Sequence, residues 1–332
     1  MNYNNYELLS FDEQKCYYEI LRQIESYQAE WTFSQVSFDY ITKIYRAVLQ
    51  DHPEFFWLSP DCGGTTRTYG SEITVFFRPE INVEISQIPN MRRQFNEYVE
   101  NLIIKARQHT SRLYEQILFL HDYLVINTDY VLNAPHCYDS YGCLVLHKAV
   151  CSGYASAFQV LMQNLGVECG RVSGWSCSER SGDVSHVWNY IKLSDGYYYI
   201  DVTWDDPIIN SGTTTDNLSH DFFCVDFNEM RLTHRFSSDQ FIPQSYGTKY
   251  NYYRFRAWYM DTYSFSSVRM LAMRQLQCSN KFFVKFGSRI ETERAKRDLL
   301  ETKKVFSIPG MSQRISYGES KSGLVLSIEQ KR

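Results

Sequence analysis

The sequence lacks the features that would assign it to several specialised classes of protein. None of its 332 residues belongs to an apolar run approaching the roughly 18 residues that a membrane span needs. Residues 1–7 have neither a basic start nor an apolar stretch, so they do not resemble a signal peptide. There is no internal repeat and no low-complexity linker. We therefore expect a cytoplasmic protein without a membrane span, although export by a route that needs no signal peptide stays open.

Cysteine spacing and net charge exclude further classes. The nine cysteines are an odd number and no two form a Cys-x-x-Cys pair, so we expect free thiols and neither a zinc site nor another cofactor. A net charge of −4 gives no reason to expect a nucleic-acid partner. A metal-dependent amidase would need clustered ligands, and the sequence reveals none. The oligomeric state is not indicated.

Hydrophobic periodicity divides the chain into three predicted regions. Residues 1–106 are predicted to be mostly helical, residues 107–245 to form the central core, and residues 246–332 to form a small α+β extension. The sequence Ser10-x-x-Glu13 is a capping-box pattern that predicts the start of an N-terminal helix.

The central region predicts one helix laid against an antiparallel sheet, which is an α+β fold. The helix should run from Cys151 to Leu165 and end at Gly166. The predicted strands are residues 171–176, 186–193, 197–204 and 222–225. In the extension the pattern predicts a strand at 282–286, a helix at 291–301 and a hairpin of residues 305–308 and 324–328.

Cys151 begins this helix and is followed by small residues. A cysteine attacks only as the thiolate, and an unperturbed thiol with a pKa of about 8.5 is a few per cent ionised at neutral pH. A thiol in a first helical turn lies at the positive end of the helix dipole, near unpaired backbone N–H groups. Both favour the anion, and the N–H groups can also stabilise an oxyanion. The alternative is an ordinary buried structural cysteine.

His186 and Asp201 supply the two other groups of an activated nucleophile. In a hairpin with an even-length loop, residues 186 and 201 lie on the same face, because their index sum is odd. A tight turn at 195–196 would place Asp201 opposite Tyr190, about 13 Å along the strand from His186. We therefore predict a bulge, a strong twist, or a turn centred nearer 193–194.

Three motifs in this order resemble the transglutaminase-like superfamily, in its bacterial branch. They are Ala-Val-Cys151-Ser-Gly, His186-Val-Trp-Asn and Asp201-Val-Thr-Trp-Asp-Asp-Pro. The resemblance covers about residues 107–245. Residues 51–58 also resemble N-terminal extensions of that branch, and residues 222–225 with His234 resemble the elements that follow the core. The resemblance implies a papain-like fold, in which a central helix carries the cysteine and an antiparallel sheet carries the histidine and aspartate.

By this resemblance Cys151 would be the nucleophile, His186 the general base and acid, and Asp201 the residue that orients the imidazole. Four further residues are candidates for the substrate cleft, with packing as the alternative role for the three aromatic ones: Tyr141, Gly153, Trp188 and Trp204.

The resemblance implies an enzyme that acts on peptide or side-chain amides through a thioester, with a protein or peptide as substrate. Water as acceptor would make it a peptidase, deamidase or amidase, and a lysine amine would make it a cross-linking transglutaminase. The sequence does not choose between them, although no acidic loop resembles a calcium site. The alternative is a catalytically silent transglutaminase-like scaffold that binds a protein partner. The three retained polar residues argue against a scaffold.

Overall fold

The structure is a computed structural model that describes residues 4–178, 182–206, 218–238 and 240–331. The α-helices are α1 (Asn4–Glu7), α2 (Phe11–Glu25), α3 (Phe38–Asp51), α4 (Ile88–His109), α5 (Leu113–Asn127), α6 (Ser140–Leu144), α7 (Cys151–Leu165), α8 (Val202–Asp205), α9 (Phe227–Met230), α10 (Tyr252–Phe255), α11 (Phe265–Gln275) and α12 (Arg289–Lys296). The strands are β1 (Trp31–Ser34), β2 (Leu58–Tyr69), β3 (Glu72–Ile81), β4 (Asp129–Tyr130), β5 (Lys148–Ala149), β6 (Cys169–Ser178), β7 (Gly182–Leu193), β8 (Gly196–Ile200), β9 (His234–Phe236), β10 (Tyr259–Met260), β11 (Lys281–Phe286), β12 (Ile315–Glu319) and β13 (Val325–Gln330).

The N-terminal region combines helices with a three-stranded antiparallel sheet of order β1-β3-β2. Helix α2 begins at the predicted capping box, in which Ser10 and Glu13 each accept a hydrogen bond from the other's backbone N–H. Aromatic side chains of this region, such as Tyr45 and Trp57, share one hydrophobic cluster with Phe158 of α7. The N-terminal elements therefore support the helix that carries Cys151.

The central region is the predicted layer of one helix on an antiparallel sheet. Helix α7 runs from Cys151 to Leu165, and Gly166 ends it at a positive φ of 81°, a left-handed conformation that glycine adopts at little cost. The sheet has the order β8-β7-β6-β9. The buried Asn189 of β7 donates a hydrogen bond of 2.9 Å to the Ala155 carbonyl of α7, which ties the sheet to the helix. This confirms the predicted α+β fold class.

Three predicted elements differ from the structure. The strand predicted over 197–204 ends at Ile200, because the Asp201 carboxylate accepts a hydrogen bond from the Trp204 N–H and starts the helical turn α8. The strand predicted at 222–225 is wrong, since this segment makes a single β-bridge, Tyr199 to Val225. In the extension, the hairpin partner of β13 is β12, and residues 304–307 form a 3₁₀ helix.

The C-terminal region has its own hydrophobic cluster and a four-stranded sheet of order β10-β11-β13-β12. The tip of its β12–β13 hairpin contacts the central region. Ser322 donates from its backbone N–H and its hydroxyl to the Asp221 carboxylate, at 2.8 and 2.7 Å. Lys321 donates to the Trp204 carbonyl at 2.8 Å. None of the described helices combines the length and the apolar character needed to cross a membrane.

Candidate active site

Cys151 is the first residue of α7 and is partly exposed. The preceding residue, Val150, offers no side chain to cap the helix, and its carbonyl accepts hydrogen bonds from the N–H groups of Gly153 and Tyr154. The first N–H groups of an α-helix have no intrahelical acceptor. The thiol therefore lies where backbone donors and the helix dipole both favour negative charge.

His186 and Asp201 are in direct contact, as the sequence predicted. The His186 Nε2 atom lies 2.6 Å from Asp201 Oδ2, and both residues are buried. The Cys151 sulfur lies near enough to the same imidazole to raise its pKa. Because Nε2 is engaged by the carboxylate, Nδ1 is the ring nitrogen left to face the sulfur. The structure thus brings all three predicted residues together.

The hairpin register explains how Asp201 reaches His186. The β7–β8 ladder pairs Leu193 with Gly196, so the two-residue turn is formed by residues 194–195. This is one position nearer the N-terminus than a turn at 195–196, and the shift brings Asp201 closer to His186. Continuing this register would place Asp201 opposite Trp188, two residues, or about 7 Å, from His186 on the same face. The strand ends one residue before Asp201, so the carboxylate leaves the ladder and reaches diagonally to the imidazole.

The pKa shifts give the two groups opposite charges. Burial alone would lower the pKa of His186, but the Asp201 carboxylate and the Cys151 sulfur beside it raise that pKa well above its ordinary value. Burial alone would raise the pKa of Asp201, but the neighbouring imidazoles hold it well below its usual range. At neutral pH the pair is therefore an imidazolium and a carboxylate.

A second histidine, His234 of β9, binds the same carboxylate oxygen and was missed as a functional residue. Its Nε2 atom lies 3.0 Å from Asp201 Oδ2, and its Nδ1 atom lies 2.9 Å from the Thr233 hydroxyl. Burial lowers the pKa of His234, and the nearby His186 opposes its charge, so this ring is a neutral N–H donor to Asp201. No local sequence signal identifies it, because β9 reaches the site by pairing with β6.

The four predicted cleft residues fall into two groups. Trp188 is buried and stacks on His186 at 6.0 Å between ring centroids, while the half-buried Trp204 lies 6.1 Å from the same ring. Both therefore line the imidazole, and Trp204 is the more accessible. Tyr141 is buried, donates to Gln94 and packs on an aromatic cluster. A side chain at Gly153 would meet the Cys137 carbonyl at 2.6 Å, so the structure gives this glycine a packing contact.

Two groups of described residues could hold a metal ion, although the sequence predicted no metal and no cofactor. The first cluster is His186, Asp201 and His234. The second cluster is His121, Asp122 and His220. In each, three possible ligand atoms lie within 4.8 Å of one another. The ligands come from segments up to 99 residues apart, which is why sequence spacing did not reveal them.

Comparisons with known proteins find similarity over part of the chain. A family model described as the transglutaminase-like superfamily matches residues 100–202. The kyphoscoliosis peptidases of Mus musculus and Homo sapiens are each 30% identical over 74 residues, which are 20% of this chain and 11% of theirs. The chain thus spans about a tenth of the length of these relatives.

Two solved structures were also compared. The crystal structure of a TGase has 12% identity and a TM-score of 0.30, over 46% of this chain and 45% of that chain. A candidate cysteine protease from Cytophaga hutchinsonii has 12% identity and a TM-score of 0.27, over 52% and 64%. The segment that the family model matches contains Cys151, His186 and Asp201 with the helix and strands that carry them. Over residues 100–202 the chain is therefore similar to the transglutaminase-like superfamily.

Proposed function

We propose that the protein is a cysteine-nucleophile enzyme that acts on peptide or side-chain amide bonds through a thioester. The observation that carries this proposal is the chain of contacts from Cys151 through His186 to the buried Asp201. An imidazolium beside a thiol stabilises the thiolate, and a buried carboxylate fixes the orientation of the ring.

In the first half of the proposed reaction, the Cys151 thiolate adds to the carbonyl carbon of the amide. The backbone N–H groups at the start of α7 stabilise the resulting oxyanion. The tetrahedral intermediate then expels the amine as the C–N bond breaks, and His186 protonates the leaving nitrogen through Nδ1. The products of this half are a free amine and a thioester on Cys151.

In the second half, neutral His186 takes a proton from the acceptor, which attacks the thioester carbonyl and releases the thiolate. Water as the acceptor gives a carboxylic acid, whereas a primary amine gives a new amide. The names of the curated relatives favour water, because both are called peptidases, and we propose hydrolysis as the principal outcome.

The nucleophile can be tested without knowing the substrate, by alkylation with iodoacetamide at mildly acidic pH. Cys151 should react faster than the exposed cysteines Cys177 and Cys278, which serve as internal controls. Local burial and the Asp183 carboxylate raise the pKa of Cys177, so accessibility alone does not make it reactive. Site-resolved mass spectrometry measures the three rates. Equal rates would overturn the proposal and favour the silent scaffold.

The reaction can be identified by mass spectrometry of candidate proteins incubated with the enzyme, with and without a fluorescent primary amine. Hydrolysis of a backbone amide gives two fragments, deamidation adds about one dalton, and transfer to the amine adds its mass. The wild type should give fragments, and Cys151→Ala should give none. Incorporation of the amine without cleavage would show that the reaction is transamidation and not hydrolysis. The proposal of a thioester intermediate would still hold.

A further inference from the structure

The second cluster takes no part in the proposed reaction. His121 comes from α5, and its Nδ1 atom lies 2.9 Å from Asp122 Oδ1. The His220 Nε2 atom approaches the same oxygen at 2.8 Å. Two imidazole nitrogens and one carboxylate therefore converge on one point.

We propose that His121, Asp122 and His220 bind a divalent transition-metal ion, with Zn²⁺ as the best fit. Two neutral imidazoles and one carboxylate, with a remaining position for water, form a ligand set that proteins use for this ion. In a tetrahedral site with bonds of about 2.0–2.1 Å, ligand atoms lie about 3.3 Å apart. The present spacings of 2.8–2.9 Å need to open by only about 0.5 Å.

A second carboxylate stands in the position expected for an outer-shell partner. Asp205 Oδ2 lies 3.2 Å from His121 Nε2, the nitrogen that would point away from the ion. Neither atom has a well-aligned hydrogen-bond partner among the described residues, although both side chains are fully buried. Metal-bound histidines usually donate their other N–H to a carboxylate, which fixes the tautomer. Ligation of Nδ1 would place the proton on Nε2 and direct it to Asp205.

The remaining oxygen of this outer-shell carboxylate is already held. Asp205 Oδ1 accepts a hydrogen bond of 3.0 Å from the Phe222 backbone N–H. On the other side, the His220 ring stacks on Tyr252, with 3.9 Å between centroids and 8° between planes. The two histidines are therefore oriented by contacts that do not involve the ion, as a preformed site requires.

Charge and access favour the second cluster over the first. Once a bound ion has displaced the protons from its two imidazole ligand atoms, Asp122 and Asp205 leave two negative charges close to the site, which match a divalent cation. The Asp122 side chain is 26% exposed, so the carboxylate has space to move back and the ion has a path from solvent. In the first cluster, by contrast, the Asp201 side chain is only 1% exposed, and Trp188 and Trp204 cover its histidines.

The proposal is tested on the full chain carrying Cys151→Ala, which removes the reactive thiol as a competing ligand. After chelation and dialysis, the protein is titrated with Zn²⁺ and, separately, with Co²⁺. We expect one equivalent of tightly bound metal and a cobalt spectrum without the sulfur-to-metal charge-transfer band that thiolate ligation produces. The background variant also makes the result independent of the proposed reaction.

His220→Ala should weaken zinc binding by at least about a hundredfold, and Asp205→Asn by about tenfold, as is typical of an outer-shell partner. The matched control is His234→Ala, which removes a histidine from the first cluster and should keep the full stoichiometry. Asp122→Asn is a second ligand variant, and circular dichroism checks that each variant folds. Absence of a bound equivalent, a thiolate-type cobalt spectrum, or equal losses in the His220 and His234 variants would overturn the proposal.

Discussion

The chain builds nearly the same arrangement twice, at the two ends of helix α8. In the first cluster, Asp201 Oδ2 accepts hydrogen bonds from His186 and His234. In the second cluster, Asp122 Oδ1 contacts His121 and His220 in the same way. Asp201 caps the start of α8, and Asp205 at its end touches the second cluster. The local contacts alone therefore do not distinguish the two sites.

The neighbours of each cluster make the difference. The first has a buried aspartate, an aromatic cover and a thiol near His186, which suit it to ionise a nucleophile. The second has a partly exposed aspartate and an additional carboxylate, which suit it to hold a cation. A His–Asp–His contact alone therefore does not determine whether a site activates a nucleophile or binds a cation. The neighbouring groups determine it.

The largest expected effect is that of Cys151→Ala on the proposed reaction at the first cluster. Cys151→Ala removes the nucleophile and should lower the rate of the proposed hydrolysis at least about a thousandfold, because no other group can form the thioester. Zinc binding at the second cluster should not change. The assay follows fragment formation by mass spectrometry, with Cys278→Ala as the control for loss of an exposed thiol. Residual cleavage within tenfold of wild type would assign the chemistry to another residue.

His186→Ala should lower the alkylation rate of Cys151 at pH 6 by about a hundredfold. The raised pKa of His186 means that its imidazolium persists through neutral pH and stabilises the thiolate there. Without that charge, an ordinary thiol with a pKa of about 8.5 is only about 0.3% ionised at pH 6. The variant should therefore regain reactivity only as the pH approaches about 8.5. If the pH profile of the rate is unchanged from wild type, the His186 charge does not stabilise the Cys151 thiolate.

The two aspartates should differ in their contribution to stability. Asp201 is buried and accepts from two imidazoles and a backbone N–H, so Asp201→Asn should lower the free energy of unfolding by about 2 kcal/mol. Asp122 is partly exposed, so in the metal-free protein Asp122→Asn should lower the free energy of unfolding by about 1 kcal/mol or less. Urea denaturation followed by tryptophan fluorescence measures both.

The pH dependence of the Asp201 effect has a defined sign. The folded-state pKa of Asp201 lies below its unfolded value of about 3.9, so its stabilisation is present above pH 4 and is lost as the pH falls through the folded pKa. The difference in unfolding free energy between wild type and Asp201→Asn should shrink below about pH 4. A difference that is constant down to pH 3 would mean that the carboxylate charge contributes nothing.

The first cluster was largely predictable from sequence, and the second was not. Helix α7 was predicted at its observed bounds, because small residues open it and Gly166 ends it in the left-handed region. His186 lies on β7 and Asp201 directly follows β8, so the parity of the hairpin places them on one face. His121 directly precedes Asp122, but His220 lies 99 positions after His121, and only tertiary packing brings it to Asp122.

Where the sequence prediction failed, a local contact overrode the strand propensity. Residues 202–204 (Val-Thr-Trp) favour an extended chain, but the Asp201 side chain captures the Trp204 N–H and turns the chain into α8. The same capping positions the carboxylate for His186. His234 was missed for a related reason: its strand joins the edge of the sheet at β6, and nothing in its own sequence specifies that partner.

The smallest expected effect concerns the second histidine of the first cluster. In His234→Phe, Asp201 loses one N–H donor, so its charge acts more strongly on His186 and raises the pKa of that imidazole further. The alkaline limb of the pH profile for hydrolysis should therefore move up by about one pH unit. His234→Gln retains an N–H donor and is the matched control, which should keep the wild-type limb. Rates measured from pH 5 to 11, with circular dichroism to check folding, decide the outcome. An identical shift in both variants would mean that His234 only fills space, and the first cluster would then reduce to a simple pair of His186 and Asp201.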